Sequence, residues 1–481
     1  MRPLTSSHSR TIARNTVFQS IGHVASLGVA VASAALVTRY LGVRAYGTFS
    51  LIAVVVVVPV TVLNGSLDTL AVRHLSAGEA SPAFFRNVLA LKIALATSFA
   101  VAVTAIAAVT LAGATRLAVA LLGISVVASG IQGTLLTVEQ ARMHFRLPVL
   151  VDVGGRALTL VAVGVLMLAL RPADASMRVA LVVAAGAVAA LFWLAATLAL
   201  RRGRVSLRLS HDGDVWRALL RSSVPLALLA GLGLVNYRLD IVLLGGLAGA
   251  RDVGIYAVAT RFVDSVLPLA AFFVAAAFPI LSAGASLPRA DRQRRARRAS
   301  EFLLLASLPI AVGGCVFAPA LVHLVAGPAY ADAVLPLRLL LASVPFSYLS
   351  TFLVFMLVAA DEQRRVVPLL LASIGLNLVL NVALIPGYGY DGPAVATLAS
   401  EVAGAAALIV IVRRTLGVQP LAIALLKSPA AAAAMLATAI VAQPLGVVPA
   451  AVASLAVYAA FVLSLRVVRP VDLELFVERA A

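Results

Sequence analysis

Residues 41–49 read Leu41-Gly42-Val43-Arg44-Ala45-Tyr46-Gly47-Thr48-Phe49, and 207 residues later the chain reads Ala248-Gly249-Ala250-Arg251-Asp252-Val253-Gly254-Ile255-Tyr256. Gly, Arg, Gly and an aromatic recur at the same spacing. In both places the polar turn separates two apolar stretches, each long enough to cross a bilayer, for which about 20 mostly apolar residues suffice. Outward from these turns the same alternation covers nearly the whole chain, from about Thr16 to Val468. Cutting at charge clusters and Gly/Pro turns gives about fourteen spans. They are 16–38, 47–71, 87–112, 117–138, 147–170, 178–200, 222–245, 253–280, 300–325, 333–359, 366–386, 392–412, 424–442 and 447–466. Lipid offers the backbone no hydrogen-bond partner, so each span must be a helix. The expected fold is an all-α polytopic membrane protein. Six spans lie between the two turns, and because six is even both turns face the same side of the membrane. That is a parallel repeat, related by an axis along the membrane normal. It divides the chain into an N-terminal lobe (1–210, spans one to six), a C-terminal lobe (211–420, spans seven to twelve) and a remainder (421–481) of two extra spans and a tail.

Composition supports the same class. Of 481 residues, 62% are hydrophobic and 12% charged, whereas ordinary soluble domains carry about a quarter charged residues. The net charge of +18 would suit a nucleic-acid partner, but the basic residues sit in loops between spans, where they hold the chain against anionic headgroups. No basic domain stands outside the apolar series, which argues against nucleic acid. With the N-terminus in the cytoplasm, the loops on that side hold about 27 Lys/Arg and the opposite loops about 6, the asymmetry of the positive-inside rule. Both termini are therefore expected in the cytoplasm. The run Asp291 to Arg298 reads as part of that orientation signal, not as a partner site. Met1 to Arg14 is short and basic, and the apolar stretch after it lacks a cleavage site, so it reads as a retained first span. The single Cys315 rules out a disulfide framework and reads as a packed thiol.

The residues that do not belong in lipid are the informative ones. A charge at mid-membrane costs about 2.5–3.5 kcal/mol on insertion scales, so each needs a polar partner or a water-filled cavity. Arg156 in span five, Arg261 and Asp264 in span eight, and Glu401 in span twelve lie deepest; Lys92, Arg238, Asp240 and Asp68 lie nearer span ends. Asp152 and Arg156 are four apart and Arg261 and Asp264 three apart, so each pair can be a local ion pair on one helix face. Arg238 and Asp240 are two apart and point away from each other. Arg261, Arg156, Arg238 and Lys92 are the candidate substrate-binding cations, suited to an anionic headgroup in a cavity between the halves. Glu401, Asp264 and Asp240 are the candidate ion-coupling groups. Glu401 has no basic residue three or four positions away, which suits proton exchange. Pro59, Pro225, Pro268, Pro309 and Pro345 each remove a backbone bond and permit a kink or hinge. Pro268 frees the carbonyl of Asp264.

Several stretches resemble the polysaccharide-type oligosaccharide flippases of the multidrug, oligosaccharidyl-lipid and polysaccharide exporter superfamily. They are Arg39 to Gly42 with Tyr46 to Phe49, Asp240 to Gly245 with Val253 to Tyr256, and Phe278 to Ser282. The strongest is Leu376-Asn377-Leu378-Val379-Leu380-Asn381, with Ile385-Pro386-Gly387-Tyr388-Gly389, Asp391-Gly392 and Ala394 to Thr397. Where the family usually has alanine after the glycine, this chain has Pro393. Asp391 is expected to cap the twelfth helix, with the proline tolerated in its first turn. The resemblance implies a flippase in the bacterial cytoplasmic membrane. Its cargo would be a lipid-linked oligosaccharide on an undecaprenyl-diphosphate carrier, moved from the cytoplasmic to the outer leaflet for cell-surface polysaccharide. Membrane lipids are implied as partners, along with the glycosyltransferases and polymerase of the same pathway.

The polar loops contain no Walker A sequence, dinucleotide fingerprint, metal-ligand cluster or nucleophile elbow, so no cofactor, metal or catalytic residue is expected. Two other readings stay open. One is a drug/cation antiporter of the same superfamily. The other is a membrane polysaccharide polymerase or ligase, which would need a sizeable outer loop where this chain has only a few residues.

Overall fold

The structure, a computed structural model, describes residues 6–76, 81–141, 146–170, 172, 174–200, 209–283, 289–417, 419 and 424–464. Those residues are helical or form short connections, with no strand among them. The basic loop at 201–208 and the tail from 465 lie outside them. In chain order the long helices are α1 (Ser6–Ser76), α2 (Pro82–Thr110), α3 (Thr115–Ala141), α4 (Arg146–Ala169), α5 (Ala175–Leu200), α6 (Gly213–Leu247) and α7 (Ala250–Ala283). They continue with α8 (Arg289–Val325), α9 (Val334–Ala359), α10 (Val366–Tyr388), α11 (Asp391–Leu416), α12 (Ala424–Val441) and α13 (Val447–Ser464).

A continuous helix of 71 residues would be about 107 Å long, more than three times the roughly 30 Å hydrocarbon core. The chain breaks it at Gly42, whose φ of 73° and ψ of 171° are non-helical. The two arms of α1 are the first two crossings, which brings the count to fourteen helices. Among the described residues twelve stretches are long and apolar enough to cross a membrane, one of them Ala25–Leu75 containing both arms, and α12 adds a shorter apolar segment at Ala430–Val441. The repeat motif is visible as backbone geometry, because Gly249, the counterpart of Gly42, has φ +95° in the turn between α6 and α7. A side chain at such φ costs about 1–3 kcal/mol. Gly42→Ala is accordingly expected to lower the thermal stability of the detergent-solubilised protein, and an unchanged midpoint would show that the turn relaxes.

The chain divides into two compact units, Met1–Gly245 and Gly246–Ala481. In the first, α3 packs on α2, α5 and the second arm of α1, and the first arm of α1 packs on α4. Glycines permit these approaches: a methyl on Gly22 would overlap Val149 of α4, and one on Gly154 would overlap the Trp193 ring of α5. Leu219, near the start of α6, joins Leu67, Ala71, Val88 and Leu91 in a buried cluster with Trp216 against it.

The second unit repeats the scheme. Here α9 takes the place of α3 and packs on α7, α8 and α11, while α10 packs on α11 as α4 does on α5. Helix boundaries coincide as well. The first unit's α1 ends at residue 76 and α2 begins at 82; 207 residues on, α7 ends at 283 and α8 begins at 289. The two C-terminal helices pack on α8 through Leu305, Ala431, Met435 and Tyr458. Pro309 has no N–H, so the carbonyl of Leu305 four residues earlier loses its helical donor. The Tyr458 hydroxyl donates to that carbonyl at 2.8 Å. Tyr458→Phe should therefore lower stability by about 1–3 kcal/mol, the cost of a buried acceptor left unpaired, measured by thermal unfolding in detergent.

Two expectations change. The ninth span was expected from residue 300, but α8 starts at Arg289, so the basic run forms the first turns of the same helix. There Arg297 pairs with Glu301 at 2.9 Å, and the Gln293 amide exchanges two hydrogen bonds with the backbone of Gln419. Asp391 is the first helical residue of α11, and Tyr390 holds the cap position without a side-chain bond. In that place the Asp391 carboxylate favours the helix through its dipole.

Candidate functional site

In the first unit the structure brings two pairs of candidate charges together. Arg156 Nε lies 3.1 Å from Asp152 Oδ1, the local pair expected from their spacing, and the Ser26 hydroxyl of α1 donates to Asp152 at 2.6 Å. Both members are about half exposed. Lys92 is different. Its side chain is 1% exposed and its Nζ donates to Asp68 Oδ1 at 2.8 Å, which seats it among α1, α2 and α3 inside the first unit. On α6, Arg238 is half-buried, and Asp240 is buried with Oδ1 accepting from the Ile241 amide at 2.8 Å.

In the second unit Arg261 lies eleven residues into α7, about 17 Å along a helix that spans a core of about 30 Å. The preceding residues Val258 and Ala259 are buried, whereas Arg261 is exposed. Asp264, one turn later, is half-buried. The α9 ring of Tyr348 is buried beside this helix, and its hydroxyl donates to the Val266 carbonyl at 2.6 Å. Polar support in α7 thus reaches Val266, two residues past the Asp264 carbonyl that Pro268 releases. On α11, the Glu401 carboxylate meets the Ser347 hydroxyl of α9.

The asparagines of the strongest sequence signature join α10 to α11. Asn377 Nδ2 donates to Ser400 Oγ at 3.1 Å, and Asn381 Nδ2 donates to Asn377 Oδ1 at 3.0 Å and to its carbonyl at 2.8 Å. Gly392 completes the hairpin: a methyl there would stand 3.0 Å from the Leu384 carbonyl carbon and the Ile385 nitrogen.

Some functional-looking contacts have no counterpart in the sequence reading. Arg338 of α9 is a further cation within a span; its Nε donates to the Cys315 carbonyl at 3.0 Å, the carbonyl released by Pro319 four residues on. Cys315 is a packed thiol, as expected, with Sγ donating to the Arg338 carbonyl at 3.3 Å. Arg178 Nη1 donates at 3.1 Å to the carbonyl of Tyr40, one of those orphaned where α1 breaks. A proline four residues downstream marks an acceptor in need of a donor, but only the packing identifies the donor.

Among the described residues no group of three or more His, Cys, Asp or Glu could hold a metal ion. The arrangement offers cations and carboxylates on the membrane helices of both units.

Solved structures share this architecture. A lipid II flippase MurJ in an inward-closed conformation matches with TM-score 0.77 at 12% identity, covering 92% of this chain and 98% of that one. A multidrug resistance MATE family transporter of the MOP superfamily, inward-facing, matches with TM-score 0.62 at 13% identity, covering 81% and 94%. A MOP superfamily transporter from Pyrococcus furiosus, described as having a binding pocket of reversed polarity, matches with TM-score 0.56 at 15% identity, covering 85% and 96%. No curated protein sequence matches the chain. The fold is that of the MOP superfamily of membrane transporters and flippases. The sequence profile described as polysaccharide biosynthesis protein matches residues 36–335, more than half of the chain, which belongs to that family.

Proposed function

We propose that the protein is a flippase that moves a lipid-diphosphate-linked oligosaccharide from the cytoplasmic to the outer leaflet of a bacterial cytoplasmic membrane, for cell-surface polysaccharide. The observation that carries this reading is Arg261, an exposed guanidinium eleven residues into the 34-residue membrane helix α7. An arginine within a span is retained where it faces water, a polar ligand or a polar protein group, and its planar fork, with five N–H donors, suits a diphosphate through paired N–H bonds. Arg238 and Arg156, on the first unit, are further candidate anion-binding cations. Family membership ties the chain to polysaccharide synthesis, and the MurJ match belongs to a flippase of a lipid-linked substrate. The isoprenoid tail would stay in lipid while diphosphate and sugars cross, with pathway glycosyltransferases and polymerase supplying and consuming the substrate.

A drug/cation antiporter is the second reading. The MATE structures share the fold, and buried Asp240 with Glu401 supplies anionic groups that would suit a cationic cargo. Ligand-induced stabilisation separates the two. Undecaprenyl diphosphate at a hundredfold excess over its Kd should stabilise the wild type by about 2.7 kcal/mol and leave Arg261→Ala unmoved, while tetraphenylphosphonium should have no effect on either. Stabilisation by the cation alone would favour the antiporter.

The loop charges favour both termini in the cytoplasm. Reporter fusions at Ser286 and Arg414 should read cytoplasmic, and fusions at Ala250 and Tyr390 external. A cytoplasmic signal at Tyr390 would contradict that topology.

A further inference from the structure

Lys92, one of the candidate substrate-binding cations, is buried against Asp68, and the internal repeat supplies a control for this pair. The second arm of α1 with α2 and α3 corresponds to α7 with α8 and α9. Displaced by 207, Asn64, Asp68 and Lys92 correspond to Ala271, Ala275 and Ala299. The second unit builds the same three-helix arrangement with alanine at all three positions, so the fold does not require the ion pair. An ion pair within lipid-spanning helices is expensive to bury and marks function where structure does not call for it.

The surroundings are polar and tight. The pair lies about 12–15 Å from the ends of α1 and α2 that face the basic loops. Lys92 is 1% exposed and Asp68 24%, so the carboxylate is the less enclosed member of the pair. The Thr134 hydroxyl of α3 donates to Asp68 Oδ1 at 3.5 Å. A methyl on Gly133 would sit 3.2 Å from Asp68 Oδ2, so α3 closes directly over the carboxylate. One turn from Asp68, the amide oxygen of Asn64 is buried and has no hydrogen-bond partner. Asp68 and Lys92 are each other's ion-pair partner; the other charged or titratable groups on the packed elements near them are Arg73, His74, Arg86, Glu139, Arg217 and Arg221.

We propose that Asp68 and Lys92 form a proton-exchange site in the first unit. Asp68 takes a proton from water on the basic-loop side, forming an O–H bond. Its carboxylate charge is lost and the ion pair opens. Lys92 keeps its own proton and turns its ammonium to neutral acceptors, for which the Asn64 amide oxygen is available. Return of the proton to water restores the pair. Opening unties α2 from α1, which gives proton binding a mechanical consequence. The proposal rests on the protein being a transporter, but proton binding itself can be observed without transport.

The test uses the full-length protein. Trp216, packed against the buried cluster that holds Leu67 and Leu91, the sequence neighbours of Asp68 and Lys92, serves as reporter, with Trp193→Phe removing the other indole. His211→Gln is included because the His211 ring stands 4.4 Å from Trp216, directly against the reporter. In this background Trp216 fluorescence should show a transition with pH that persists in Glu401→Gln and is lost in Asp68→Asn and in Asp68→Asn/Lys92→Met. The double variant guards against misfolding, since it leaves no charge stranded. A transition that survives in Asp68→Asn, or its absence from the parent, would overturn the proposal. In proteoliposomes, an inside-to-outside difference of one pH unit can bias a one-proton exchange by up to about tenfold. Flipping of an undecaprenyl-diphosphate-linked fluorescent sugar should follow that gradient in wild type and ignore it in the double variant. Gradient dependence retained in the double variant, or lost in Glu401→Gln instead, would also overturn it. If no protein flips the probe, the substrate reading fails and the fluorescence titration still decides the pair.

Discussion

Arg261→Ala is expected to abolish polysaccharide export while leaving the amount of protein in the membrane near wild type. The residue is exposed on α7 between buried neighbours such as Val258 and Val263, so truncation removes a charge without opening a cavity in the unit. Loss of a bidentate contact to a buried anion typically costs about 2–5 kcal/mol, or roughly 30- to several-thousand-fold in binding. Arg261→Lys should recover only part of the activity, because an ammonium carries the charge but lacks the planar fork. Normal export by Arg261→Ala would take away the principal residue of the anion-binding reading.

Gly392→Ala is expected to have the largest effect on folding. The atoms that a methyl would meet, Leu384 C and Ile385 N at 3.0 Å and Ile385 Cα at 3.1 Å, all belong to backbone, and backbone within a helix end cannot turn aside as a side chain can. Overpacking of a tight contact costs about 1–3 kcal/mol, and the upper end is expected here. The α10–α11 hairpin would have to separate, which would also strain the Asn377–Ser400 bond. The measurement is the unfolding midpoint in detergent together with the yield of monodisperse protein. A midpoint equal to wild type would show that the hairpin tolerates the methyl.

Much of the architecture was legible because lipid simplifies the code. Apolar length alone locates a crossing, and the expected spans correspond to the two arms of α1 and to α2 through α13. The glycine motif at 42 and 249 marked two turns that share a positive φ, since that conformation favours one residue type. Helix ends were less legible: α8 begins at Arg289 because a basic run can be helical outside the membrane as readily as it can be loop. The charges were legible as anomalies but not as partners. Asp152 and Arg156 share a helix, and their spacing announced the pair. Lys92 and Asp68 are on different helices, 24 residues apart, and no local spacing encodes that contact. Arg338 escaped notice among the span charges, and its partner is a carbonyl that only the approach of α8 to α9 supplies.

The most direct measurement is flipping itself. Purified protein is reconstituted into vesicles that carry a fluorescent sugar on undecaprenyl diphosphate, and the pool protected from a membrane-impermeant quencher is followed with time. The wild type should expose the protected pool, and Arg261→Ala vesicles should behave like protein-free vesicles. Wild-type vesicles that protect the lipid as long as empty ones do, in a preparation that transports an organic cation, would contradict the account.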